Sequence, residues 1–186
     1  MKILQKSIVL LGFAIFITSM FSITVGNNAF GIEYTNYTSV KYGIQFEYPS
    51  DWELTEKTSR FDDGPDIQIK SGTDKFDIFR YDDPETDLGA LDVETASDIV
   101  FRGLLSSFGS DGKVIEDQSY INIGGHSGQT FLISFSGIDI KVAHQNWQVF
   151  VGDHSYQIIN LELVSDFDSP ENTEIRNHFI NSIKFP

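Results

Sequence analysis

The fold class this sequence predicts is α+β: a layered domain built on an antiparallel sheet. Three observations predict it. Segments alternating apolar and polar residues run through most of 33–164. Only two stretches carry helical spacing, one near the middle and one at the C-terminus. Strands surround the first of these and the second closes the chain, an order that implies an antiparallel layered domain and not a doubly wound parallel sheet.

Residues 1–31 stand apart. Lys2 and Lys6 precede an uncharged run, Ser7 to Val25, and then "GNNAFG" leads to the first acid, Glu33. This is the layout of a secretory signal, and Ala29-Phe30-Gly31 fits a small-x-small cleavage rule that leaves Ile32 as the first mature residue. The apolar run is also long enough, roughly 17–25 residues, to span a bilayer as an uncleaved anchor. Either reading puts residues 32–186 outside the cytoplasm, with the membrane reached only through the N-terminal segment. That remainder has the length of one domain. It can bury a core without disulfides, and the chain has no cysteine. A lipid-anchor cysteine, a thiol nucleophile and a thiolate metal site are thereby excluded.

Both signal-region charges are lysines, so residues 32–186 hold 11 basic against 27 acidic residues, a formal −16. Such a surface repels nucleic acid and anionic lipid, and it attracts cations and basic partners. Sixteen phenylalanines argue against a disordered acidic tail.

Glu33 to Thr38 and Tyr42 to Tyr48 read as strands, the second alternating Ile44, Phe46 and Tyr48 with Gln45 and Glu47. Pro49 cannot donate to a ladder and ends the pairing. Trp52 follows a short turn later, placed to fold over the sheet edge and bury its ring beside Phe46, or else to serve as a stacking platform. Trp52 to Thr55 is a further short strand, and "FDDGPD", Phe61 to Asp66, is a turn. Ile67 and Ile69 mark a one-sided strand. Lys75 to Tyr81 is apolar on both faces, as a central covered strand would be. Pro84 ends this run.

Asp92 caps a helix in which Val93, Ala96, Val100 and Leu104 form a stripe, widened by Ile99, Phe101, Leu105 and Phe108 and stopped by Gly109 and Gly112. Strands at Val114 to Ile123 and Thr130 to Phe135 flank "GGHSG". A hairpin runs from Ile138 to Val151 and from His154 to Val164, turning at Gly152-Asp153. Its apolar set switches parity, from Trp147, Val149, Val151, Tyr156 and Ile158 to Val142, Ile159, Leu161 and Leu163. A bulge near Asn146, or cover on both faces, explains the switch. Ser169, Pro170 and Glu171 start the last helix, where Ile175, Phe179 and Ile183 repeat every four residues.

The opening "GIQFEYPSDWEL", with Gly43, Phe46, Pro49 and Trp52, and the closing Ser182-Ile183-Lys184-Phe185 bracket this order of elements. Together they resemble the PsbP-like superfamily, named for an extrinsic subunit of the photosynthetic oxygen-evolving complex and sharing its fold with a yeast Ran-binding protein. The resemblance covers nearly all of 32–186. It implies an α/β/α sandwich and a role in assembly, stabilisation or binding, sometimes with metal ions, rather than catalysis. The photosynthetic role does not transfer.

No complete catalytic set is readable. "GGHSGQ" approaches the serine elbow G-x-S-x-G through Gly125 and Ser127 but has Gln129 in place of the last glycine, and it lies between strands. The histidines at 126, 144, 154 and 178 form no zinc-type pair. The metal candidates are Asp62, Asp63 and Asp66 in one loop and Asp82, Asp83 and Asp87 in another, since clustered carboxylates suit Ca²⁺. Asn36-Tyr37-Thr38 is a glycosylation sequon. The expected function is a non-enzymatic extracytoplasmic binding or assembly module for a protein, glycan or cation. The alternative is a hydrolase using the Asp loops or His144.

Overall fold

The computed structural model describes residues 23–24, 29–57, 64–82, 92–136 and 140–186. Among them, ten strands form two antiparallel sheets. In the small sheet, β2 (Tyr34–Ser39) lies between β1 (Ile23–Thr24) and β3 (Ile44–Pro49). The large sheet begins with β4 (Glu53–Glu56), β5 (Ile67–Ser71) and β6 (Asp74–Tyr81). It continues through β10 (His154–Leu163), β9 (Lys141–Val151), β8 (His126–Ser136) and β7 (Lys113–Ile123). Three α-helices and a 3₁₀ turn (Gly109–Asp111) complete the described chain: the α-helices are α1 (Val93–Phe108), the single turn α2 (Val164–Phe167) and α3 (Pro170–Ser182). No helix among the described residues is long and apolar enough to cross a membrane. The signal expectation lies mostly outside the described residues, as do Phe61, Asp62 and Asp63 of the "FDDGPD" turn and Pro84.

The two faces of the large sheet follow from strand alternation. Phe76, Ile78, Tyr156, Ile158, Trp147 and Val149 share one face by register, and all are buried. The small sheet and α3 close over it. Phe179 of α3 stacks on Phe76 at 4.1 Å and meets Phe46 of β3 at 5.2 Å, so one aromatic trio ties three elements together. The opposite face receives α1, through Phe101 against Phe131 at 5.0 Å and Phe108 stacked on Phe135 at 4.0 Å. The result is the expected α/β/α layering, with the first two predicted strands forming their own small sheet.

Cover on both faces resolves the parity switch in the hairpin. Pairing runs without interruption from His154↔Val151 to Leu163↔Val142, so no bulge occurs at Asn146. Trp147, Gln148 and Val149 are all buried, although neighbours point to opposite faces. The irregularities lie in β7 instead, between Val114 and Glu116 and between Glu116 and Ser119.

Helix α1 begins as expected, with Thr95 N–H donating to Asp92 Oδ1 at 2.8 Å. Its packed arc differs from the expected stripe, because Ala96 and Ser97 are its fully buried residues and Ile99 is 50% exposed. At 100° per residue, Ile99 falls outside the arc spanned by Ala96, Val100, Leu104 and Phe101. Ser169 caps α3 by accepting from Asn172 N–H at 3.2 Å. Beyond α3, Gln45 and Lys184 exchange backbone hydrogen bonds of 2.9 and 2.8 Å, so the closing motif docks on β3. Ile183 is buried at that joint.

Candidate functional site

A cleft of about 390 Å³ opens between α2–α3 and the β7–β8–β9 end of the large sheet. Its sheet wall carries Glu116, Thr130, Gln145 and Trp147; its helical wall carries Arg176, Asn177 and Asn181. The volume falls in the ~300–1,000 Å³ range of small-molecule sites.

A bulge places Glu116 in this cleft. Val114 pairs with Ile133, and an uninterrupted ladder would set Ile115 opposite Leu132 and turn Glu116 toward α1. The extra residue sets Glu116 opposite Leu132 instead, on the face that carries Gln145. A second interruption before Ser119 keeps Ser119 opposite Thr130 on that same face. Two bulges thus bracket one carboxylate.

The helical wall is held by a buried ion pair. Arg176 Nη1 donates to Glu162 Oε2 at 2.8 Å, Arg176 Nη2 donates to Thr173 Oγ1 at 3.3 Å, and the guanidinium lies 3.7 Å over the Phe167 ring. Asn172 Nδ2 donates to the same Glu162 oxygen at 3.0 Å. Burial pushes the Glu162 carboxyl above its ordinary value, and the Arg176 charge opposes that shift. The Arg176 charge is therefore committed inside the fold. On the sheet wall, Gln145 Nε2 donates to Thr130 Oγ1 at 3.2 Å. Part of this site was legible in the sequence, since Thr173, Asn177 and Asn181 repeat every four residues beside the apolar stripe of α3. The bulge that turns Glu116 was not.

The aspartates expected to hold a metal are otherwise placed. Asp62, Asp63, Asp83 and Asp87 lie outside the described residues. Asp66 Oδ2 accepts from Arg80 N–H at 2.8 Å, closing the end of the β5–β6 pair. Asp82 is exposed and pairs with the Arg80 guanidinium at 2.6 Å and with His154 Nδ1 at 3.2 Å. Arg80 Nη2 also lies 3.0 Å from His154 Nε2. Both described aspartates are thus engaged by Arg80. Among the described residues no three acidic or histidine side chains gather into a metal-holding group.

The opening motif is structural in its first three positions. Gly43 has φ +61°, and a Cβ there would lie 3.3 Å from Pro186 Cγ. Phe46 is fully buried, and Pro49 ends β3 opposite Tyr34. One further hydrogen bond follows the strand, from Ser50 N–H to Glu33 O at 2.8 Å. Trp52 departs from expectation. It is half-buried, its ring sits 5.9 Å from Phe76 rather than beside Phe46, and it lines a pocket of about 360 Å³ with Phe30, Ile32 and Ile175. The cause is strand order: β4, which follows Trp52, joins the large sheet beside β5 and carries the indole toward β6. Asn36 is half-buried opposite Glu47 on β2, in a pocket of about 400 Å³ with His178.

His144 lies on β9 facing α1, buried, in a polar row with Asn146 and Gln148. Burial holds its imidazole down at about 4, with Asp77 opposing and Lys75 assisting. It is a neutral core residue at physiological pH. His178 pairs with Glu47 at 2.7 Å under a stacked Tyr34 ring, and the neighbouring Ser182 hydroxyl donates to Phe179 O at 2.8 Å. Ser127 is exposed on β8 just after the Gly124-Gly125 turn. Among the described residues no serine or threonine hydroxyl bonds a histidine, so no nucleophile–base pair is assembled.

These features define an α+β sandwich with a polar cleft at one end of its sheet. No protein-family model matches the chain, and no curated protein sequence is similar to it. Solved structures do match. The solution structure of cyanobacterial PsbP (CyanoP) from Synechocystis sp. PCC 6803 superimposes at TM-score 0.60 and 10% identity, covering 88% of this chain and 98% of that one. LpqN of Mycobacterium tuberculosis, involved in cell envelope biogenesis, superimposes at TM-score 0.56 and 17% identity, covering 87% and 95%. A Bacteroides thetaiotaomicron protein gives TM-score 0.51 and 14% identity over 81% of this chain and 48% of its own. At these identities the likeness is one of fold. The chain has the PsbP-like fold.

Proposed function

We propose that this protein is an extracytoplasmic, non-enzymatic module of PsbP-like fold that binds a protein or glycan through the cleft between α3 and β7–β9. The observation that carries the reading is the cleft itself, where a bulge sets Glu116 in one lining with the exposed Asn177 and Asn181. The side chains gathered there suit recognition, and the described residues assemble no nucleophile with a base. The signal-like layout of residues 1–31 supports a site outside the cytoplasm, and a formal −16 on residues 32–186 argues against nucleic acid as partner. The likeness to LpqN, a protein of envelope biogenesis, agrees with that location. Calcium is at most an accessory of the acidic loops.

The test is photo-crosslinking of the full chain in intact cells, with the reactive group at Asn177 and a control at Val40, which is 91% exposed on the far end of the small sheet. Adducts specific to position 177, on protein recovered outside the cytoplasm with Ile32 as first residue or with the N-terminus intact, are expected. Identical patterns from both positions, or a cytoplasmic protein, overturn the reading.

A further inference from the structure

We infer that the cleft takes a neutral oligosaccharide, an assignment that rests on reading the cleft as the module's contact site. Four features of the cleft point there. Its polar groups are chiefly amides and hydroxyls, and an amide offers both a donor and an acceptor, which is what adjacent sugar hydroxyls require. Asn177 and Asn181 are exposed on the helical wall, so their hydrogen-bonding capacity is open to a ligand. Trp147 and Ile180, only 5% and 7% exposed, form the floor beneath these groups, so what the cleft presents to a ligand is polar.

The fourth feature is charge. Among the described residues Arg176 is the one cation lining the cleft, and it is buried and bound to Glu162 at 2.8 Å. Glu116 and Asp168 are exposed at the rim and carry no ion pair among the described residues. Two carboxylates without a free cation accept hydrogen bonds from sugar hydroxyls and repel uronate, sialate or phosphate groups. Bulges recur where a strand must aim one side chain at a site, and here the aimed side chain is Glu116. The sugar chemistry is thus neutral and hydroxyl-rich.

Two tryptophans make the test direct, because Trp52→Phe leaves Trp147 as the sole indole reporter. The probes are the neutral trisaccharides cellotriose, maltotriose and chitotriose, with trigalacturonate as the anionic comparison. Saturable change in Trp147 emission is expected with at least one neutral trisaccharide at millimolar concentration, and none with trigalacturonate. Glu116→Ala and Asn177→Ala, both exposed and therefore compatible with folding, should each weaken that binding about tenfold, with melting unchanged. Silence from all three neutral sugars overturns the inference, as does an equal response to trigalacturonate or binding indifferent to both variants. If the sugars fail while crosslinking from position 177 still yields a specific adduct, the cleft binds something else and the module reading stands. If both fail, both fall.

Discussion

Arg176 Nη1 donates to Glu162 Oε2 across 2.8 Å with both side chains buried, and this contact fastens α3 to β10 behind the cleft. Arg176→Met keeps much of the packing over Phe167 but strands a carboxylate in the core. The expected loss is about 3–5 kcal/mol at neutral pH, read by urea unfolding. The sign of its pH dependence is set by Glu162, whose folded-state value is already raised. As pH rises above the ordinary glutamate value the unfolded state gives up its proton first, so the variant should weaken with rising pH and recover on acidification. A variant loss independent of pH would show that Glu162 does not carry it.

His144 predicts an opposite slope. Its folded-state value of about 4 lies below the ordinary 6.5, because burial disfavours the cation. The unfolded chain therefore binds the extra proton first on acidification. Stability contributed by the neutral ring is full above pH 6.5, falls through the interval down to 4, and amounts to about 3 kcal/mol at 1.36 kcal/mol per unit. His144→Leu should lack that component, so the difference between the two unfolding curves across this interval isolates it. Parallel curves would remove the assignment.

For Trp52 the half-buried position and the 5.9 Å separation from Phe76 set a moderate cost. Trp52→Ala should lose about 2–3 kcal/mol, less than the ~3–5 of a fully enclosed tryptophan. Denaturant melts measure it. A loss near zero would reassign the indole to the pocket it shares with Phe30 and Ile32 as a ligand platform.

The acidic loops predict a generic cation response. Asp66 and Asp82 are already engaged by Arg80, so calcium should raise the melting temperature no more than sodium at equal ionic strength. A calcium-specific rise, abolished by Asp82→Asn with Asp83→Asn, would establish a metal site instead.

Much of the fold was legible because alternation is a local signal. Ile44, Phe46 and Tyr48 mark β3, Asp92 and Ser169 start helices by capping free N–H groups, and Gly152-Asp153 turns a hairpin. Each depends on neighbours within a few residues. Ile99 was misplaced by the same local logic, since hydrophobicity alone does not say which arc of a helix meets the sheet.

The sequence by itself determined the strand and helix order, the acidic surface, the absence of thiol chemistry, and the opening and closing motifs that pointed to the PsbP-like fold. Tertiary structure alone decided what depends on register between distant segments. It decided that β2 and β3 leave the large sheet, that Trp52 meets Phe76, and that both faces of β9 are covered. It also decided the cleft. Glu116 lines one cleft with Asn177 and Asn181 only because β7 gains a residue against β8 and α3 packs over that face. One residue of register exchanges every side chain between faces, and no periodicity read along β7 alone contains the position of its partner strand.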